Sequence, residues 1–240
     1  MISIKNLSVS FDEKSVLKDI SLDIPEGKST VIIGKSGCGK TVLIKSILGL
    51  HSYDRGEIEV EGIRHTPRNT EDLNLIRRKI SMVFQNSALF DSMDVYQNVA
   101  FPLVEHTKLS SNEITEIVRE KLEMVGLVGI EEVMPSDLSG GMRKRVGLAR
   151  AIVLEPEYVF YDEPTTGLDP VTSSEIISLI TELSSKNRWA SVIITHDRNI
   201  LKAFPNNIIM LDNGEVIFHG TLEELINNSN PLIKAFSESY

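Results

Sequence analysis

The sequence predicts an α/β fold: parallel strands joined by crossover helices, with an antiparallel β unit in front and a helical segment inserted in the middle. Three observations predict it. An apolar, β-branched run, Ser29-Thr30-Val31-Ile32-Ile33, feeds a glycine-rich stretch and then a helical pattern. Strand patterns return at Tyr158 to Tyr161, Ser191 to Thr195 and Asn207 to Leu211, with a helical stripe (Ile176, Ile177, Leu179, Ile180, Leu183) between the first two. That alternation calls for parallel strands with crossover connections. Between the early and late strands, Val95 to Val153 reads mostly as helix.

In chain order, Ile2 to Phe11 alternates loosely as a strand, Asp12-Glu13-Lys14 reads as a turn, and Val16 to Ile24 alternates again before Pro25-Glu26-Gly27. These make an antiparallel pair. Val42 to Leu48 has helical apolar spacing and stops at Gly49. Glu57 to Val60 is a strand between glycines, His65 to Asn74 reads as polar loop, and Ile80 to Phe84 is a short apolar strand. Ser110 with Glu113 forms a capping box. Behind it Ile114, Ile117, Val118, Leu122 and Val125 share one helical face, and Glu116, Glu120 and Glu123 the other. After Gly140-Gly141, a second stripe runs through Met142, Val146, Ala149 and Val153. Asn213-Gly214 predicts a tight hairpin into Glu215 to Phe218. Thr221 with Glu224 caps a short terminal helix. The expected division is one domain over 1–240, with 1–85 and 154–240 as the α/β core and 86–153 as the helical part.

The glycine-rich stretch carries chemistry. Gly34-Lys35-Ser36-Gly37-Cys38-Gly39-Lys40-Thr41 lies between a strand and a helix that opens at Val42. This is the context of a phosphate-binding loop. Its glycines let successive N–H groups point at anionic oxygens, and the next helix turns its positive end to the same spot. Lys40 is placed for the β- and γ-phosphates and the Thr41 hydroxyl for Mg²⁺. A nucleoside triphosphate is the expected ligand. The loop by itself leaves kinase, GTPase, motor and transport ATPase open.

The 25 basic residues against 34 acidic ones give a net charge of −9. That argues against a nucleic-acid partner. A single cysteine, Cys38, allows no intrachain disulfide and fits a reducing compartment. The N-terminus lacks the pattern of a signal peptide. No apolar run approaches the ~18 residues of a membrane span, so any work at a membrane goes through a partner.

Tyr158-Val159-Phe160-Tyr161-Asp162-Glu163 is an apolar strand ending in two carboxylates. Such a strand delivers Asp162 to the carboxyl edge of the sheet, where ligands bind in open α/β folds. Asp162 is expected to hold Mg²⁺ through water, and Glu163 to act as general base on the attacking water. At Leu138-Ser139-Gly140-Gly141-Met142, Ser139 can cap a helix whose first N–H groups stay exposed. That makes a second anion site, or a Gly-Gly hinge.

These motifs, in this order and spacing, resemble the nucleotide-binding subunit of ABC transporters over the whole chain. The resemblance implies a P-loop NTPase (RecA-like) core with an antiparallel β subdomain and an inserted helical subdomain. Leu138 to Met142 resembles the family signature, with Met142 where Gln is usual. Gln85 is similar to the Q-loop glutamine that senses Mg²⁺ and the membrane partner. Gly167-Leu168-Asp169-Pro170 is similar to the D-loop, and His196 to the switch histidine that contacts the γ-phosphate. Phe11 stands where the family stacks an aromatic ring on adenine. The resemblance implies ATP and Mg²⁺ as cofactors and a head-to-tail homodimer. Each ATP would lie between the phosphate loop of one chain and Ser139, Gly140 and Gly141 of the other.

Two longer stretches, Phe84 to Leu103 and Leu138 to Val146, are similar to the Mce/Mla-type lipid-trafficking ATPases. This implies phospholipid or another lipid as cargo, an inner-membrane permease partner and an MCE-type lipid-binding protein beyond it. The ATPase would be peripheral on the cytoplasmic face of that membrane. Some members carry a small STAS-domain protein, held partly by a C-terminal extension; the sequence past Phe236 is too short for a long one. The alternatives are the ATPase of an amino-acid or other small-solute importer, and a soluble non-transport ABC ATPase. The Arg143-Lys144-Arg145 run reads either as part of the lipid-type signature or as a solvated face.

Cys38, beside Lys40 and a helix N-terminus, is expected to be a reactive thiol that ATP protects, or else a small inert filler. His51, His65, His106 and His219 lack metal-ligand spacing and are expected at the surface or in loops. Trp189 is expected to pack against the following strand.

Overall fold

The computed structural model describes residues 1–12, 14–65, 70–187 and 189–239. The antiparallel unit comprises β1 (Ile2–Phe11), β2 (Lys14–Ile24), β4 (Arg55–Val60) and β5 (Ile63–His65), in the order β2-β1-β4-β5. Ile2 pairs with Ile24 on one side and Val60 on the other. The second sheet runs β10-β9-β3-β8-β7-β6. Its members are β3 (Thr30–Ile33), β6 (Ile80–Val83), β7 (Tyr158–Asp162), β8 (Ala190–Ile194), β9 (Ile208–Asp212) and β10 (Glu215–Gly220). All neighbours in it are parallel except β9 and β10, which form the hairpin that Asn213-Gly214 predicts.

The central sheet is buried on both faces, as parallel sheets require. Ile32, Phe160, Val192 and Ile194 face a cluster shared with the antiparallel sheet and with α1 (Lys40–Ile47). Val31, Ile33, Val159, Tyr161 and Ile193 face the opposite cluster. That cluster is covered by α3 (Val95–His106), α4 (Ser111–Met124), α5 (Gly140–Ile152) and α6 (Pro170–Lys186). The inserted helices have no core of their own: Val99, Val118 and Val146 join one cluster with Tyr161 and Ile176. The two sheets are also tied by backbone, since the Lys18 amide donates to the Gly214 carbonyl at 2.8 Å.

The capping boxes at Ser110/Glu113 and Thr221/Glu224 are formed, the second on α8 (Leu222–Ile226). Two expectations are corrected. The stretch from His65 to Asn74 is not loop throughout: His65 ends β5, and α2 (Thr70–Lys79) begins within it. Leu73 and Ile76 are buried three residues apart. Glu71 and Asp72 in the first turn and Arg77, Arg78 and Lys79 in the last match the helix dipole. Residues 66–69 of that stretch, and Glu13 of the expected turn, lie outside the described residues. His65 is not a surface residue; it is 1 % exposed, packed beside the Tyr53 ring. Two helices have no sequence expectation behind them: α7 (Arg198–Ala203) and α9 (Pro231–Ser239). Trp189 is buried, as expected.

The face assignment of α4 is testable. Leu122→Ala empties a fully buried site and should lower unfolding free energy by about 3 kcal/mol in urea titration. Glu123→Ala, one residue on and exposed, should change it by less than ~0.5 kcal/mol.

Candidate nucleotide site

β3 delivers the chain to Gly34 at the carboxyl edge of the sheet. There the backbone takes φ +146°, and a Cβ would stand 2.2 Å from the Leu211 carbonyl oxygen of β9. Only glycine fits so close to a neighbouring strand. The loop ends where α1 begins at Lys40, and that helix has no acidic residue in its first turn. The Lys40 side chain folds back across the loop. Its ammonium donates to the carbonyls of Gly34 at 2.7 Å and Lys35 at 2.9 Å. The Cys38 thiol points inward, 3.8 Å from that ammonium and only 7 % exposed. Access, then, limits its reaction with any reagent.

β7 ends in the acidic pair. Asp162 lies close to the Thr41 hydroxyl. Burial first, and the Glu163 charge second, hold its carboxyl above the ordinary aspartate value, against Lys45 and Lys40. Glu163 has φ +49°, a conformation that costs a non-glycine residue free energy and collects at functional sites. Its amide donates to Ile194 O at 3.0 Å, and its carbonyl accepts from Thr166 N at 3.2 Å. Its carboxylate oxygen lies 2.8 Å from His196 Nδ1. The imidazole is two-thirds exposed, whereas the glutamate side chain is 15 % exposed. The pair therefore stands at the rim with the carboxylate inward.

Glycines 34, 37 and 39, Lys35, Ser36, Lys40, Thr41, Val42, Gln85, Asp162, Glu163 and His196 line one cavity of about 590 Å³. An anion entering it meets glycine backbone, the lysines Lys35 and Lys40 and a helix N-terminus on one wall. The opposite wall offers two carboxylates and an imidazole. Thr41 and Asp162 fit a hard divalent cation that takes its remaining ligands from phosphate and water. Among the described residues no group of three or more His, Cys, Asp or Glu forms a metal cage.

Val16 and Phe236 also line the cavity. Neither was expected: Val16 reads as an ordinary strand residue, and no motif surrounds Phe236. Phe11 is not in the lining; its ring stands edge-on to His51, centroids 5.2 Å apart.

Ser139, Gly140, Gly141 and Asp169 lie apart from this cavity, on a second surface. Ser139 caps α5, its hydroxyl accepting from Met142 N at 3.2 Å. A Cβ on Gly141 would stand 2.6 Å from Thr172 Cγ2, and one on Gly140 3.3 Å from Leu168 Cδ2. The two glycines thus let α5 start flush against the head of α6. Asp169 caps α6, accepting from the amides of Val171 and Thr172, and the Thr172 hydroxyl holds its carboxyl below the usual range.

The Arg143-Lys144-Arg145 run is a solvated face only in part: Arg143 is exposed, Arg145 half-buried and Lys144 buried. Arg143 Nη1 donates to Leu138 O at 2.7 Å and Arg145 Nη1 to Val125 O at 2.9 Å. Lys144 is buried, its ammonium donating to the carbonyl of Gln85 and, at 3.4 Å, to that of Glu163. Its charge alone marked it in sequence, and the apolar stripe beside it gave no sign of burial.

Because Asp162 is held above its ordinary value, the folded chain binds more protons than the unfolded one across the carboxylate range, and stability falls as pH rises through it. Asp162→Asn should therefore make the nucleotide-free protein more stable at neutral pH. The gain, read by thermal melts, should narrow as the pH drops through the carboxylate range.

Comparison with known proteins places the chain. The family model described as ABC transporter matches residues 17–166, more than half of it. The probable ribonucleotide transport ATP-binding protein mkl of Mycobacterium leprae is 42% identical over 235 residues, covering 98% of this chain and 68% of that protein. The intermembrane phospholipid transport system ATP-binding protein MlaF of Escherichia coli K12 is 38% identical over 236 residues, covering 98% and 88%. Among solved structures, the dimeric post-hydrolysis state of the ATP-binding cassette MJ0796 bound to ADP and Pi superposes with TM-score 0.84 at 32% identity, covering 92% of this chain and 99% of that one. The chain belongs to the ABC transporter family, as one of its ATP-hydrolysing cassettes.

Proposed function

We propose that this chain works as one half of a head-to-tail homodimer that hydrolyses MgATP to drive an inner-membrane permease moving phospholipid or another lipid between membranes. The observation that carries the dimer is the split site. The phosphate loop, the carboxylates and His196 line one cavity, and Ser139, Gly140, Gly141 and Asp169 lie on another surface of the same chain. One copy cannot close both around one nucleotide; two copies facing each other can. The MJ0796 cassette, which this chain resembles along nearly all of that structure's length, is described as a dimer with ADP and Pi.

Within that dimer Lys40 leaves the Gly34 and Lys35 carbonyls for the β- and γ-phosphates. Thr41, Asp162 and Gln85 hold the Mg²⁺, whose charge offsets that of the phosphates. Glu163 takes the proton of the attacking water while His196 keeps its carboxylate oriented. Val16 forms the wall on the adenosine side, and Phe11 turns from His51 to stack on the base. The partner's signature helix presents Ser139 and its free amides to the γ-phosphate. Since both chains grip that phosphate, dimer affinity follows nucleotide state.

The lipid reading rests on the relatives and on the two stretches that resemble Mce/Mla-type ATPases. MlaF is named for intermembrane phospholipid transport. The mkl protein is named for ribonucleotide transport, which supports a small-solute reading as the second possibility. No described helix is long and apolar enough to cross a membrane; in the proposed assembly the permease is a separate chain and this one is peripheral on its cytoplasmic side. An MCE-type lipid-binding protein completes the proposed assembly.

Glu163→Gln should bind ATP, hydrolyse it at least ~100-fold more slowly and elute as a dimer with MgATP in size-exclusion chromatography; a monomer at micromolar concentration would count against the split-site dimer. For cargo, the chain is purified from detergent-solubilised native membranes and its companions identified by mass spectrometry. A permease with an MCE-domain protein and retained phospholipid is expected. A permease with a solute-binding protein instead would turn the assignment to small solutes.

A further inference from the structure

We infer that Lys144 is a positioning residue for hydrolysis: its buried ammonium holds the backbone of Glu163 and of Gln85, and through them the geometry of the water-activating carboxylate. The inference rests on the ATPase reading above.

Lys144 lies on the second turn of α5, an element that itself contributes no residue to the cavity lining. A lysine at 7 % exposure is unusual unless it is paired. Here the partners are main-chain carbonyls, one from each of two functional segments. Gln85 sits just after β6, where the chain leaves the central sheet for the inserted helices. Glu163 sits just after β7. One cation therefore ties both strand ends to the signature helix.

The grip on Glu163 has a specific consequence. That residue holds φ +49°, a conformation that persists only when its surroundings enforce it. Ile194 O fixes its amide and Thr166 N one side of its carbonyl. Lys144 is the third restraint on the backbone of the same residue, and the Thr166 hydroxyl donates to its carboxylate at 3.4 Å. Releasing it lets the backbone relax toward negative φ, which swings the carboxylate away from its 2.8 Å contact with His196. Lys40, Thr41 and the loop amides, which make the phosphate contacts, are not held by Lys144, so ATP affinity changes little even though Gln85 also loses a restraint. Misplacing a reacting group by a fraction of its contact distance lowers turnover far more than it lowers binding.

The test compares wild type with Lys144→Met, which keeps the flexible apolar stem and removes charge and donors. The expected result is a fall in kcat of about tenfold or more, a KM for MgATP and an ATP affinity within about twofold, and retention of the ATP-dependent dimer. In a Glu163→Gln background the same change should lower the residual rate no further, because it acts through Glu163. An unchanged kcat overturns the inference. So does parallel loss of kcat, ATP affinity and dimer, which would make Lys144 a packing residue only. So does a full additional loss in the Glu163→Gln background. Should Lys144→Met not fold, Lys144→Gln, which removes the charge and shortens the side chain by one atom, is read by the same criteria. A wild type that binds MgATP without hydrolysing it sinks the ATPase reading and this inference together. An active wild type with an equally active Lys144→Met sinks only this one.

Discussion

The site depends on one steric constraint: the backbone of the phosphate loop passes against the backbone of β9. At Gly34 no side chain fits, because the Leu211 carbonyl occupies the space a Cβ would need. That contact sets the height at which the loop leaves the sheet, and hence where Lys40 and Thr41 start α1. It also makes the loop's position a property of the whole central sheet. β9 is held in turn by its hairpin with β10, whose turn is tied to β2 through Lys18 and Gly214. The antiparallel unit thus braces the strand that braces the loop.

The opposite wall is built on a different economy. Asp162 and Glu163 are adjacent carboxylates, partly buried, at the end of a strand with no apolar alternative to offer. The structure keeps them there with a raised Asp162, a left-handed Glu163 and a buried lysine behind both. Burial lowers the Lys144 pKa, and the Glu163 and Asp162 charges oppose that shift. Each of these is a local cost, offset by the packing of β7 between β6 and β8 in a sheet buried on both faces. Sites of this kind sacrifice stability for placement.

Much of this was legible in the sequence, for identifiable reasons. Gly34, Lys40 and Thr41 are dictated by backbone chemistry, so their spacing is rigid and readable. Asp162 and Glu163 end an apolar strand, and strand ends at that edge are where ligands bind. The hairpin and both capping boxes follow from rules that involve neighbours only. What was not legible depends on contacts between distant segments. α2 hides in polar residues because, among its described side chains, only Leu73 and Ile76 are buried. Lys144 reads as solvated because its partners are carbonyls, which carry no sequence identity. Phe236 reaches the cavity from α9, some forty residues past His196, and no local pattern announces that approach. Phe11 is the reverse case, a residue that the family pattern picks out and that, in the chain alone, lies against His51.

The folded-back posture of Lys40 has one more effect. With two carbonyl oxygens already bound, its ammonium is satisfied before any ligand arrives. A visiting anion must therefore exchange for those bonds rather than simply add to a bare charge. A polyphosphate engages the loop amides, the lysine and Thr41 together, and so offers more contacts in that exchange than a lone phosphate or chloride does. The loop in this way discriminates among anions by the number of simultaneous contacts as well as by attraction.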